Sequence, residues 1–254
     1  MQRHAVGIDI GGSFIKGSIV DLERGRLVGE KLVVPSPAMS TVAEMMDAMA
    51  QAAPEDASDL ATGITFPGVI RGGVVHTAAN VAKAWIGRSL PALAAERLKR
   101  PIVAINDADA AGLAELHFGA AREVLGTVLV ITLGTGIGSA MFVDGQLVPN
   151  TELGHLEVDG MEAEARASGR AREARNLTWE AWIAELNLVI NRLHSLLWPD
   201  LFVICGGVTA DRPNLIDDLR CPAPVKLGAL RADAGIVGAA LAATRSIVAP
   251  LASI

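Results

Sequence analysis

The stretch that decides the fold is Val6-Gly-Ile-Asp-Ile-Gly-Gly-Ser-Phe-Ile-Lys-Gly17, in which an apolar strand enters a turn of glycine and serine and a second strand leaves it. A similar run, Val128 to Leu133, enters the turn Gly134-Thr-Gly-Ile-Gly138 before the apolar strand Ser139 to Val143. Glycine lets the backbone approach a ligand closely, so such hairpins can direct several backbone N–H groups at a phosphate. Two of them suggest two lobes with a polyphosphate between them.

The repeat carries more weight than either turn. One glycine-rich turn is as well explained by an ordinary hairpin, whereas a repeated strand, turn and strand is an unusual coincidence. Asp9 at the end of the first strand and Lys16 beyond the turn suit a metal–phosphate complex. A Rossmann site is excluded because Gly11-Gly12 leads into a strand-like run instead of a helix, and the Walker A spacing does not occur.

Composition excludes several classes of protein. The 254 residues are 51% hydrophobic, enough for one large core or two smaller ones, and no apolar run reaches the roughly 20 residues of a membrane helix. The formal net charge of −6 disfavours general nucleic-acid binding. The N-terminus runs straight into a strand, and Cys205 and Cys221 have no metal-ligand spacing, which favours reduced thiols. We therefore expect a cytoplasmic protein without membrane or nucleic-acid partners.

Periodicity predicts an α/β fold with mixed sheets. Strands are expected near 5–10, 14–20, 26–34, 60–65, 101–105, 127–133, 138–143 and 201–205. Helices are expected after the Thr41–Glu44 capping box, from Ser89 to before Pro101, over 109–118, up to Pro199, and over 235–249. The expected domains are an N-terminal lobe, 1–107, with the C-terminal helix of 235–254 packing back on it, and a C-terminal lobe, 108–234.

Asn106 and Asp107 follow an apolar strand directly. Ligands of α/β proteins bind at such strand ends, and an aspartate there can take a hydroxyl proton as a phosphoryl group arrives in line. Asp107 is therefore the candidate base. The alternative is that Asp107 or Asp109 merely caps the following helix.

A second polar cluster is Glu152-Leu-Gly-His-Leu-Glu157. Glu152 and His155 could both face one small polyol and hydrogen-bond to vicinal hydroxyls. A metal is the weaker alternative, because this pair gives at most two ligands and a structural zinc site needs four. The basic patch that contains Arg166 and Arg170 is interleaved with glutamates, so a solvated helix surface is the preferred interpretation and phosphate binding the alternative.

These motifs together resemble the ROK family of sugar kinases. The resemblance rests on segments in one order: Asp9 to Ser13, Phe66-Pro-Gly68, Asn106-Asp107, Leu133 to Gly138, Glu152-Leu-Gly-His155 and Gly206-Gly207. Further stretches resemble the polyphosphate-dependent glucokinase subgroup: Thr65 to Val69, Thr77 to Val81, Trp85 to Gly87, Asn106 to Gly112, Val148 to Glu157 and Pro199 to Phe202. The similarity covers about residues 5 to 243.

The resemblance implies an α/β, two-lobed actin-like ATPase (RNase H-like) fold with a cleft between the lobes, and phosphoryl transfer to the 6-hydroxyl of glucose from polyphosphate, and also from ATP, with Mg²⁺. Asp107 matches the general base. Hexose contacts match Gly68, Asn106, Asp107, Glu152, His155 and Glu164. Asp9 would organise Mg²⁺ through water. The phosphate or nucleotide positions are Gly11, Gly12, Ser13, Lys16, Gly134, Thr135, Gly136, Gly206 and Gly207. A homodimer is also implied.

Two departures from the family pattern matter. The interval Val158 to Ala163 holds no cysteine, where ROK proteins commonly carry a zinc loop, so no zinc is expected. Cys205 stands where a glycine often precedes Gly206-Gly207, which makes use of ATP less certain than use of polyphosphate. Candidates for guiding a long polyphosphate are Lys16, Lys83, Arg166 and Arg170.

Other functions stay open. The runner-up enzyme is a strictly ATP-dependent ROK hexokinase acting on glucose or mannose. A non-catalytic hexose-binding protein is the alternative outside enzymes. A sugar-sensing repressor is disfavoured because the first strand begins within about five residues of Met1, which leaves no room for a DNA-reading module.

Overall fold

The computed structural model describes residues 3–37, 41–78 and 81–244. The strands are β1 (His4–Ile10), β2 (Phe14–Asp21), β3 (Arg26–Leu27), β4 (Leu32–Pro35), β5 (Thr62–Phe66), β6 (Ile70–Arg71), β7 (Val74–Val75), β8 (Ile102–Asn106), β9 (Thr127–Leu133), β10 (Ile137–Val143), β11 (Gln146–Val148), β12 (Glu157–Val158), β13 (Met161–Glu162), β14 (Leu201–Cys205) and β15 (Val225–Leu227). The α-helices are α1 (Val42–Gln51), α2 (Leu90–Leu98), α3 (Asp107–Phe118), α4 (Ala163–Ala167), α5 (Gly169–Ala174), α6 (Trp179–Leu197), α7 (Val208–Asp211) and α8 (Ala234–Thr244).

The chain divides into two compact units. The first unit is Met1–Ala114 together with Asp233–Ile254, and the second is Glu115–Ala232. Helix α3 begins in the first unit and ends in the second. Among the described residues, no helix has both the length and the apolar character needed to cross a membrane.

The first unit is built on a six-stranded mixed sheet. Its order is β3-β2-β1-β5-β8, and β4 also pairs with β2. β1 runs antiparallel to β2 and parallel to β5, which in turn runs parallel to β8. The core on this sheet includes Ile8, Ile64 and Phe66, and the methionines of α1 pack into it. The parallel strands therefore end together at Phe66 and Asn106, which are register partners.

The second unit repeats this topology. Its five-stranded sheet has the order β11-β10-β9-β14-β15. β9 runs antiparallel to β10 and parallel to β14, and β14 runs parallel to β15. The long helix α6 buries Trp182, Leu186 and Ile190 against this sheet. The repeat read from two glycine-rich turns is thus a repeat of strand order and direction.

Most predicted elements are confirmed, and two differ. The Thr41–Glu44 capping box is present, and Met45, Met46 and Met49 are buried. The single strand expected over 26–34 is wrong: β3 and β4 are separated, and between them the carbonyl of Gly29 accepts a hydrogen bond from the Ser18 hydroxyl. Helix α3 begins at Asp107, two residues earlier than expected. The predicted helix over 235–249 is described only to Thr244, and residues 79–80 of the Thr77 motif also lie outside the described residues.

Helix α8 lies against the sheet of the first unit at backbone distance. A Cβ on Gly7 of β1 would come within 1.9 Å of the carbonyl oxygen of Ile236, and one on Gly63 of β5 within 1.8 Å of that of Ala239. A Cβ on Gly238 would come within 1.7 Å of the carbonyl oxygen of Ala110 in α3. Because no side chain fits at these three positions, glycine is what allows α8 to pack between the sheet and α3.

Candidate active site

The shape of the turn between β1 and β2 is fixed by backbone hydrogen bonds and by Ser36. The N–H of Gly11 donates to the carbonyl of Phe14 at 3.1 Å. The hydroxyl of Ser36 donates to the carbonyl of Gly11 at 2.6 Å, and the N–H of Ser36 donates to the carbonyl of Ser13 at 2.9 Å. Gly12 and Ser13 are exposed, so the tip of the turn remains accessible to a ligand.

Asp9 lies at the end of β1, directly across from Lys16 in the strand register. Its Oδ1 accepts a hydrogen bond from the hydroxyl of Thr65 at 2.9 Å, and that hydroxyl accepts one from the N–H of Ile10. A Cβ on Gly235, at the start of α8, would come within 2.6 Å of the carboxyl carbon of Asp9. Burial raises the pKa of Asp9 above its usual range, against the opposing effects of Lys16, Thr65 and Lys31.

The sequence left open which residue caps helix α3, and the structure gives this role to Asn106. The Asn106 Oδ1 accepts the N–H of Asp109 at 2.9 Å, so Asn106 caps helix α3, while its Nδ2 donates to the carbonyl of Gly68 at 3.2 Å. The Asp107 Oδ1 accepts the N–H of Ala108, its own neighbour, at 2.9 Å. The capping role therefore falls to Asn106, and Asp107 presents a half-buried carboxylate at the end of β8.

The loop that contains Gly68 is held in place by a hydrogen bond to Thr77. The hydroxyl of Thr77 accepts the N–H of Val69 at 2.9 Å. A Cβ on Gly68 would come within 2.4 Å of the Thr77 carbonyl oxygen, so this position has no room for a side chain. The structure thus brings Gly68, Asn106 and Asp107 together in the first unit.

In the second unit the turn Gly134-Thr135-Gly136 is tied to helices α4 and α5. The N–H of Gly134 donates to the carbonyl of Gly136, and the carbonyl of Gly134 accepts the N–H of Gly169 at 2.8 Å. The carboxylate of Glu164 accepts the N–H of Ile137 at 3.0 Å. The predicted hexose glutamate and the predicted phosphate turn are therefore in direct contact.

The loop of Glu152 and His155 is anchored by Ser139 of β10. The Ser139 hydroxyl donates to the carbonyl of Thr151 at 2.6 Å and accepts the N–H of Leu153 at 3.0 Å. A Cβ on Gly154 would lie 2.1 Å from the carbonyl oxygen of Ile137, which explains the glycine of this motif. Ser139 was not a predicted site residue, and its position on β10 was the only signal in the sequence.

Charge is concentrated around His155. Its Nε2 lies 3.7 Å from Oε2 of Glu152, and its Nδ1 lies 2.5 Å from Oε1 of Glu162. The hydrogen bond to Glu162 raises the pKa of His155, as do the charges of Glu152 and Glu164, whereas burial opposes the rise. Burial raises the pKa of Glu152, His155 lowers it and Glu164 raises it. Glu162 and Thr65 are further site residues that the sequence did not single out.

Gly206 and Gly207 follow β14. Gly206 has φ of +96°, and a Cβ there would come within 2.4 Å of the Leu133 carbonyl oxygen. A Cβ on Gly207 would have none of the described atoms within 4 Å. Cys205 is buried, and its thiol lies 3.7 Å from the carbonyl of Ile131. Its side chain therefore fills the interior of the unit.

Neither interpretation of the basic patch, a solvated helix surface or a phosphate site, is correct for Arg166. This side chain is 8% exposed and ion-paired with Glu185, and its Nη2 donates to the Val158 carbonyl at 2.9 Å. Arg175 donates to the same Glu185 at 2.7 Å. Arg166 is thus neither a solvated surface residue nor an available polyphosphate ligand. Lys83 and Arg170 are exposed, and Lys16 is half-buried.

The described residues contain no cluster of three or more histidine, cysteine, aspartate or glutamate side chains that could hold a metal ion. A cation at Asp9 would therefore need most of its ligands from water or from a phosphate.

The model of the ROK family matches residues 5–170. The chain belongs to the ROK family. A polyphosphate glucokinase of Mycobacterium tuberculosis is 44% identical over 249 residues, which are 95% of this chain and 91% of that protein. This ROK chain also superimposes on the inorganic polyphosphate/ATP-glucomannokinase of Arthrobacter sp. strain KM, with a TM-score of 0.91, 47% identity, and coverage of 95% of this chain and 98% of that one.

A second solved structure is the ROK glucokinase of Streptomyces griseus in complex with glucose and AMPPNP. It matches with a TM-score of 0.80 and 25% identity over 93% of this chain and 98% of the other. These similarities confirm the expected α/β, two-lobed actin-like ATPase fold of ROK sugar kinases.

Proposed function

We propose that this ROK chain transfers the terminal phosphoryl group of inorganic polyphosphate to the 6-hydroxyl of glucose and so forms glucose 6-phosphate. The observation that carries the proposal is the 44% identity to a polyphosphate glucokinase along nearly the whole chain. The arrangement of Asn106, Asp107 and Gly68 supports it, since a capped helix start presents an aspartate at a strand end.

Asp107 is the proposed base. It takes the proton of the 6-hydroxyl while the hydroxyl oxygen bonds to the terminal phosphorus. The bridging P–O bond breaks on the opposite side, and the shortened polyphosphate leaves with the electron pair. Asn106 is not a competing base, because an amide does not take up a proton near neutral pH; its Oδ1 accepts the N–H of Asp109 and its Nδ2 donates to the carbonyl of Gly68.

Glu152, His155 and Glu164 are the proposed hexose contacts of the second unit. Carboxylates accept hydrogen bonds from sugar hydroxyls, and a protonated imidazole donates one. The raised pKa of His155 keeps the ring protonated nearer to neutral pH, so it acts as a donor. The Ser139 anchor of residues 151–153 supports this assignment, because a sugar site needs its polar groups held in place.

The turns at Gly11–Ser13 and Gly134–Gly136 are the proposed phosphate sites, with Lys16 beside the first and Gly206 and Gly207 on the nucleotide side. Asp9 fits a Mg²⁺ ion carried by the phosphates, because its carboxylate lies at the end of β1, next to the exposed turn residues Gly12 and Ser13. Such an ion would neutralise charge that builds up on the phosphate oxygens.

ATP is the second candidate donor, and mannose the second candidate hexose. The Arthrobacter relative is a polyphosphate/ATP-glucomannokinase, and the Streptomyces griseus relative holds AMPPNP. The open surroundings of Gly207 and the buried side chain of Cys205 favour a nucleotide more than the sequence alone did. A homodimer and a cytoplasmic location remain proposals; light scattering on the purified protein tests the first.

The experiment that tests the function measures glucose 6-phosphate formation with Mg²⁺ and either long-chain polyphosphate or ATP as the sole donor. Product from polyphosphate supports the proposal. Product from ATP alone replaces it with an ATP-dependent hexokinase. No product from either donor, with glucose binding intact by calorimetry, supports a hexose-binding protein instead.

A further inference from the structure

The two ring nitrogens of His155 face different carboxylates. Nε2 lies 3.7 Å from Glu152, a proposed hexose contact, whereas Nδ1 lies 2.5 Å from Glu162, which has no role in the proposed chemistry. A histidine that serves a ligand through one nitrogen is commonly oriented through the other. Glu162 stands where such an orienting group is expected.

Glu162 lies next to His155 because it is the last residue of a short β-hairpin. β12 and β13 pair Glu157 with Glu162 and Val158 with Met161, and the turn between them consists of Asp159 and Gly160, both with positive φ. That is the turn type which matches the twist of a two-residue hairpin. The N–H of Ala163 then donates to the carbonyl of Leu156 at 2.8 Å, which closes the segment next to His155.

The Glu162 side chain is not used by the helix that follows it. Glu162 is the N-cap residue of α4, yet its side chain makes no capping hydrogen bond. Its carboxylate points to the imidazole instead and forms a short hydrogen bond with Nδ1. Helix α4 carries Glu164 two residues later, so the same segment that fixes His155 also places a second proposed hexose contact.

We infer that Glu162 is a positioning residue for hexose binding: its carboxylate accepts the Nδ1–H of His155 and thereby holds the ring with Nε2–H directed toward Glu152 and a sugar hydroxyl. The inference rests on the proposed function. The raised pKa of His155, whose largest cause is the hydrogen bond to Glu162, agrees with this arrangement. Among the described residues, the other charged groups that act on the ring are Glu152 and Glu164.

The test compares Glu162→Gln with Glu157→Gln in the full chain. Glu157 is the exposed register partner of Glu162 on the same hairpin, which makes it a matched control. The His155 ring is titrated by NMR of its imidazole Cε1–H, with His155→Gln used to identify its signal among the five histidines. Glucose binding is measured by calorimetry and turnover with polyphosphate over the same pH range.

In Glu162→Gln we expect a lower pKa for His155. Near neutral pH we also expect the KM for glucose to rise about tenfold while kcat stays nearly unchanged, because that factor corresponds to the loss of one hydrogen bond to a charged group. The KM difference should shrink at low pH, where the ring is protonated in both proteins. Glu157→Gln should change neither quantity.

An unchanged His155 pKa and glucose affinity in Glu162→Gln, in a protein that phosphorylates glucose, would overturn this inference alone. A fall in kcat at unchanged glucose affinity would overturn it too, since a positioning role in binding predicts the reverse. A wild-type protein that binds no hexose would overturn the proposed function, and this inference with it.

Discussion

The carboxylate of Glu164 accepts the backbone N–H of Ile137 at 3.0 Å, so a proposed sugar ligand is attached to the strand that leaves a proposed phosphate turn. In the same place, a Cβ on Gly136 would come within 2.2 Å of the Glu164 Oε2. Within the second unit, a proposed hexose contact and a proposed phosphate turn are therefore in direct contact. A substitution in the turn should change the affinity for the sugar.

Gly136→Ala tests this link. The new methyl group displaces the Glu164 carboxylate, and we expect glucose affinity to fall about tenfold, or about 1.4 kcal/mol. A double-mutant cycle with Glu164→Ala provides the control: once the carboxylate is gone, Gly136→Ala should cost little more. Fully additive effects on glucose binding, measured by calorimetry, would contradict the link.

Asp107→Asn should remove the base while keeping the shape and the hydrogen bond from the Ala108 N–H. We expect turnover to fall about 10²- to 10⁴-fold, because general-base catalysis contributes that much, while glucose binding changes little. Steady-state kinetics and calorimetry separate the two effects. Asp217→Asn, at an exposed position, is the matched control. Near-normal turnover in Asp107→Asn would remove Asp107 from the mechanism.

Asp9→Asn should make the protein inactive and yet more stable at neutral pH. Burial raises the pKa of Asp9, so the folded state favours the protonated carboxyl and loses stability as pH rises through that raised pKa. Asparagine carries no charge at any pH and can still accept the Thr65 hydroxyl. Thermal unfolding from acid to neutral pH should show a gain over wild type that shrinks as pH falls. A Tm for Asp9→Asn below that of the wild type at neutral pH would contradict this prediction, because it would show that attraction to Lys16 and Lys31 stabilises the ionised Asp9 by more than burial destabilises it.

Glu115→Ala should destabilise the second unit. Glu115 is fully buried, and its carboxylate accepts the N–H groups of Ala120, Ala229 and Leu230 at 2.9 to 3.0 Å. Because the substitution removes three hydrogen bonds to one carboxylate and leaves a cavity where the Glu115 side chain is buried, we expect a loss of about 3 kcal/mol in the free energy of unfolding, measured by denaturant titration. Glu123→Gln, at an exposed position, should change it by less than about 0.5 kcal/mol.

The sequence predicted what depends on short-range pattern. The two hairpins, the capping box at Thr41 and the strand that ends at Asn106 all follow from neighbouring residues. Pairings between distant residues could not be predicted. Arg166 was misjudged because its partner Glu185 lies 19 residues away, and Glu162 was missed because only the register of β12 with β13 brings it to His155. The division of roles between Asn106 and Asp107 likewise needed side-chain directions that no pattern contains.

The close packing of α8 has a consequence for synthesis of the chain. The second unit is one continuous segment, whereas the first needs residues from both ends, and α8 covers β1 and β5 at backbone distance. On the ribosome, the sheet of the first unit is complete after residue 106 but lacks its covering helix until residue 244 has been made. The part of the chain that is translated first is therefore the part that finishes folding last.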